Sequence, residues 1–138
     1  LVWWVRDELD VGRMKEAASL FEGMHDFRSF AAEDREEKST KVLIQRVAIR
    51  EVGDLILVRV EGSHFLWRMV RRIVGVVVEV GRGKLQPAEI RRFLTTRSAE
   101  PARLAAPSSG LFLERVYYRG DRRPADLEPV LPVATIAR

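Results

Sequence analysis

The residues able to do chemistry concentrate between His64 and Arg92, where Arg68, Arg71, Arg72, Arg82, Lys84, Arg91 and Arg92 stand against Glu79 and Glu89. Seven cations minus two anions give this stretch +5, more than the +4 of the whole 138-residue chain. Guanidinium forks match phosphate oxygens two at a time, so a local arginine excess favours a polyanionic partner. A solvated charged helix face gives the same pattern, and charge alone does not separate the two. Other chemistries are poorly represented. There is no cysteine, hence no disulfide, thiolate metal site or cysteine nucleophile. His25 and His64 are the only histidines, too few for a multi-histidine metal centre. Neither the G-x-S-x-G elbow nor a Walker phosphate loop occurs. Gly81, Arg82 and Gly83 resemble a glycine-rich phosphate loop, but they follow a helical pattern and lack a third glycine, so they read as a helix stop. His64 reads as a polar residue at a helix start rather than as a catalyst.

The elements that must position these side chains fit one ordinary globular domain, with 46% hydrophobic and 32% charged residues. No apolar run approaches the roughly 18 residues that span a bilayer, and LVWWVRDELD lacks the basic-then-apolar order of a signal peptide, so a cytoplasmic protein without a membrane partner is expected. The leucine at position 1 leads us to expect a piece of a longer protein. Asp10 reads as an N-cap, with Met14, Ala17, Ala18 and Phe21 as the buried stripe of a first helix that Gly23 closes. HDFRSF supplies two anchoring aromatics, Phe27 and Phe30, before a charged loop over Glu33 to Lys41 that is free to move over a bound partner. KVLIQRVAIR and DLILVRVEG alternate and flank a turn at Gly53, which predicts an antiparallel hairpin.

From His64 to Val80 the apolar residues Leu66, Met69, Val70, Ile73, Val77 and Val80 follow helical period, although Val76 to Val78 favour a strand. Arg68, Arg71, Arg72, Gly75 and Glu79 share the opposite stripe, a grouping that a strand would scatter to both faces. Pro87 opens a further helix with Ile90, Phe93 and Leu94 inward. After a connector containing Pro101 and Pro107, GLFLERVYY reads as a strand. Helix, two strands, two helices and a strand make an α+β fold, an antiparallel sheet with helices on one face. Residues 119–138, rich in proline and charge, read as an extended tail needing a surface to order it.

HDFRSFAA, GSHFLWRMVRRIVGVVVEVGRGK and APSSGLFLERVYY, in this order, resemble the C-terminal half of tRNA pseudouridine synthases of the TruA family. The family pattern is met by Phe65–Leu66, Met69–Val70–Arg71, Ile73–Val74–Gly75 and Glu79–Val80–Gly81, while Arg72 replaces a common asparagine. The resemblance covers roughly residues 9 to 118, and it implies that residues 1–118 form the catalytic-cleft and RNA-binding domain. It implies cofactor-free isomerisation of uridine in tRNA, with a carboxylate at the sugar and a slot for a flipped-out base. The family's catalytic aspartate lies in an N-terminal half whose motif is absent from this sequence, so the chain alone is expected to be inactive.

On this resemblance Arg71 pairs with that absent aspartate and keeps it ionised, since a cation within about 4 to 6 Å lowers a carboxylate pKa by 1 to 3 units. Leu111 packs against the target base; by residue type alone it reads as a core strand leucine. Arg68, Arg72, Arg82 and Lys84 are the candidate RNA-backbone contacts. Phe27, Phe30 and Trp67 are read as buried anchors in preference to stacking surfaces. The expected partners are tRNA, the missing N-terminal domain and, in a homodimer, a second copy, with Trp3, Trp4 and the tail as contact surfaces. A non-catalytic RNA-binding module and a protein-interaction domain are the rival readings.

Overall fold

In a computed structural model of the protein, residues 3–32, 39–108, 111–115 and 131–137 are described, the last two segments as backbone except for the side chain of Ile136. Most of the expected charged loop and residues 116–130 fall outside them.

The first helix, α1 (Val11–Ser19), starts where the Asp10 carboxylate accepts the Arg13 backbone N–H at 3.1 Å, satisfying one of the N–H groups that a helix start leaves bare. Met14, Ala17 and Ala18 are buried along its inner face, as their spacing predicts. A short strand, β2 (Gly23–Asp26), and a 3-10 turn over Arg28–Phe30 follow the first strand, β1 (Trp3–Trp4), and α1. Phe27 and Phe30 are fully buried, with Phe30 edge-on to Phe21 at 5.2 Å and to Phe93 at 6.3 Å.

The hairpin of β3 (Lys41–Val52) and β4 (Leu55–Gly62) turns through Gly53, whose φ of 59° suits glycine. Its register steps from Ile44↔Gly62 to Arg46↔Glu61, leaving Gln45 as an extra residue. That bulge resets the alternation, so Val42, Ile44, Val47 and Ile49 are all buried. A strict two-residue period would have sent the second pair to the opposite face.

Helix α2 (Met69–Gly81) buries ten of its thirteen residues. Burial overrides the strand preference of its valines. It begins five residues later than the pattern from His64 suggests. Residues 64–66 are instead irregular and 67–68 form a turn ending at Arg68, which has φ 62° and ψ 7° in the left-handed region. Helix α3 (Pro87–Thr95) buries Ile90 and Phe93, and α4 (Glu100–Leu104) occupies what the sequence suggested was only a connector.

The sheet runs β2-β3-β4-β6, where β6 is Leu131–Ala137 and β5 is Leu111–Arg115. The far edge of β6 is shared, with β5 pairing at Leu131–Ala134 and β1 at Ile136–Ala137. All pairs are antiparallel except β1 with β6. This is an α+β fold. The boundary placed at residue 118 needs correction, because β6 is hydrogen-bonded on both sides within the sheet instead of trailing from it. Pro132 and the preceding prolines obscured the β-branched run that follows.

Candidate functional site

Arg71 lies in the first turn of α2, half-buried. Its Nε–H donates to the Ala106 carbonyl at 2.8 Å, and the Ala106 N–H donates to the Arg71 carbonyl at the same distance. The side chain is thus fixed at its inner nitrogen, and the terminal nitrogens of the fork point onward from a fixed stem. A hydrogen bond from a charged donor of this kind contributes about 1.5 to 3 kcal/mol. Gly75, one turn along the helix, makes the approach feasible. A Cβ there would stand 1.8 Å from the Leu104 carbonyl oxygen. Only a glycine lets the 104–106 backbone lie flat against α2 and present Ala106 to Arg71.

Arg68 and Arg72 gather at the same end. The Arg72 guanidinium is pushed below its ordinary value first by burial, then by the charges of Arg68 and Arg71. Among the described residues none of the three has an acidic partner. The partial positive charge of the helix start adds to theirs. Arg68 and Arg71 thus repel the charge of Arg72 at the positive pole of a buried helix. Trp67 adjoins them with 61% of its surface exposed, so its reading as a buried anchor is incorrect. For Phe27 and Phe30 that reading is correct.

Arg82 and Lys84 lie at the other end of α2, about 16 Å from Arg71 along the axis at 1.5 Å per residue. Arg82 donates through Nε to Asp7 at 2.5 Å, its Nη2 also meets Asp7, and its Nη1 is 3.6 Å from Glu79. Lys84 Nζ lies 3.9 Å from the same Asp7 oxygen. No sequence signal links Asp7 to residues 75 positions away. These pairs fasten the chain before α1 to the end of α2. Asp7 and Arg82 line one side of an open cavity of about 810 Å³ that also takes in Arg6, Asp10 and Gly81. That cavity is remote from the arginine cluster. The five sequence-predicted cations therefore form two groups, Arg68, Arg71 and Arg72 in one and Arg82 and Lys84 in the other.

Leu111 opens β5, five residues beyond Ala106, and its backbone pairs with Ala134; its side chain lies outside the described atoms. His64 is exposed and touches Ser63 at 3.1 Å, consistent with a bystander. Among the described residues no group of acids and histidines could hold a metal ion. Sequence reasoning missed the Gly75–Leu104 contact that supports Arg71, although Gly75 stood in the arginine stripe.

A family model described as tRNA pseudouridine synthase matches residues 17–119. The chain is 44% identical over 115 residues to tRNA pseudouridine synthase A of Pseudothermotoga lettingae, an alignment covering 83% of this chain and 47% of that protein. It is 43% identical over 110 residues to the protein of that name from Bacillus pumilus, covering 80% and 44%. With the Thermotoga maritima protein it shares 38% over 117 residues, covering 85% and 48%. The chain spans about half the length of the curated relatives it matches.

Proposed function

Because the chain belongs to the tRNA pseudouridine synthase family, we propose that it forms part of an enzyme converting uridine to pseudouridine in tRNA. The isomerisation is redox-neutral: the bond from C1′ to N1 is replaced by one from C1′ to C5, and the proton leaving C5 is balanced by one gained at N1. An acid poised at C1′ must stay ionised in a site from which water is largely expelled, and a fixed cation meets that need.

Arg71 is that cation. It positions and ionises an aspartate supplied by polypeptide outside residues 1–138, consistent with relatives twice as long. The observation that carries the reading is the half-satisfied fork: Nε is committed to Ala106, and no described acid pairs with Arg71. Leu111 supplies the apolar wall for the flipped base, on a strand reached directly from Ala106. Arg68 and Arg72 meet phosphates beside the cleft. Arg82 and Lys84 reach a more distant phosphate, exchanging Asp7 for it.

We read the enzyme as a homodimer, as the family resemblance implies, and keep the cytoplasmic location expected from the sequence. The reading is tested by assaying pseudouridine on transcribed tRNA with the full-length protein and with residues 1–138 alone. Product from the former and none from the latter is expected. A folded full-length protein that makes no pseudouridine would reject it.

A further inference from the structure

We propose that Trp67, with Arg68 and Arg72, forms a stacking platform for an unpaired nucleobase of the RNA, a site separate from the pocket that receives the target uridine. The inference rests on the function proposed above and extends it to a neighbouring nucleotide.

Two independent observations carry it. The first is the indole itself. Trp67 keeps 61% of its surface exposed while the neighbouring Leu66 and Met69 are buried, so the ring is left outside a core that had room for its neighbours. Its backbone is nonetheless held: the Ala32 N–H donates to the Trp67 carbonyl at 3.0 Å, and Met69 N–H bonds back to Leu66 at 3.1 Å. A large flat π-surface on an anchored backbone accepts a base with little ordering cost, and every base has a face to offer. The second observation is the charge around it. Arg68 follows directly in a left-handed conformation that L side chains adopt at a cost, and backbone strain of this kind persists only where surrounding structure holds it. Arg72 bonds through its N–H to the Arg68 carbonyl at 3.2 Å, which ties the two into one turn. Neither has an acidic partner among the described residues. An aromatic side chain next in sequence to guanidinium groups that have no acidic partner among the described residues matches the alternation of base and phosphate along a single strand.

A protein surface docking on Trp67 would also cover the ring, but would place three arginines of one sign at its border. An apolar partner leaves that charge unanswered, which favours the nucleic acid.

The experiment uses the full-length protein and unmodified tRNA transcript, comparing wild type with Trp67→Leu, Trp67→Tyr, Arg68→Ala and Arg72→Ala. Trp67→Leu keeps an apolar side chain but removes the π-face, and should weaken tRNA binding about tenfold. Trp67→Tyr should stay within roughly threefold of wild type. The salt dependence separates the roles: each arginine variant should lower the log–log slope by about one unit, and Trp67→Leu should leave it unchanged. Unchanged affinity in Trp67→Leu overturns the inference. So does lost affinity accompanied by a change of oligomeric state or melting temperature, which would mark Trp67 as a protein contact. If the wild type binds tRNA but forms no pseudouridine, the function reading fails on its own, and the Trp67 comparison still decides the platform.

Discussion

Arg71 and Ala106 are joined twice, by a side-chain Nε–H to carbonyl bond and by a backbone N–H to carbonyl bond, each 2.8 Å long. The pair clips the segment leading to β5 against the first turn of α2. The contact joins residues 35 apart in sequence and holds the cation proposed for the cleft, while the strand carrying Leu111 is held by its pairing with β6.

Gly75→Ala tests the support beneath that contact. Alanine normally favours a helix interior by about 1 kcal/mol over glycine. Here its Cβ would enter the Leu104 carbonyl at 1.8 Å, so the 104–106 backbone must move. We expect a net loss of about 1 to 3 kcal/mol in urea unfolding, with Arg71 released from Ala106 in the variant's structure. A stabilised variant would show that the two segments are not in contact.

Arg68→Gly separates strain from charge. Glycine accepts φ 62° freely, whereas a side chain there costs about 1 to 2 kcal/mol. The variant should be as stable as wild type or more so, by up to about 1 kcal/mol once glycine's greater unfolded-state entropy is counted, and should still bind tRNA less tightly. A clear destabilisation in chemical unfolding would indicate that the Arg68 side chain holds the turn.

Arg72 gives the pH and anion dependence. Its pKa is lowered by folding, so the unfolded chain holds this proton more tightly, and stability rises with pH only in the alkaline range near arginine's ordinary value. Between about pH 6 and 9 it stays charged in both states and contributes a constant penalty. Polyphosphate should relieve that penalty and raise the melting temperature at low salt, and Arg72→Gln should blunt the rise. An equal rise in both proteins would place the anion elsewhere.

Much of the fold was legible from local patterns. Asp10 before an apolar stripe gave α1, and alternation around Gly53 gave the hairpin, because both signals act over a few residues. The start of α2 was not legible: apolar spacing continues through Leu66, while a left-handed Arg68 is a tertiary outcome with no side-chain signal. Strand β6 was hidden by Pro132, and its partners lie tens of residues away. Within the site, the arginine group was visible as spacing on α2. Trp67 was misjudged because residue type predicts burial on average and cannot report which face of a turn the ring takes. The Asp7 pairs that occupy Arg82 and Lys84 join residues at least 75 positions apart, beyond the reach of any local pattern.

The most direct test of the central claim is Arg71→Ala in the full-length enzyme, read as turnover, tRNA affinity and pH profile together. Loss of a fixed charge from a shielded site should lower kcat by at least about 100-fold. Affinity for tRNA should stay within roughly threefold, and the acidic limb of the kcat profile should move up by about 1 to 3 pH units as the orphaned carboxylate gains its proton more easily. Arg71→Lys should not rescue, since one ammonium cannot both bond Ala106 and face the acid. Weakened tRNA binding with kcat and its pH profile unchanged would contradict the account and make Arg71 a phosphate contact.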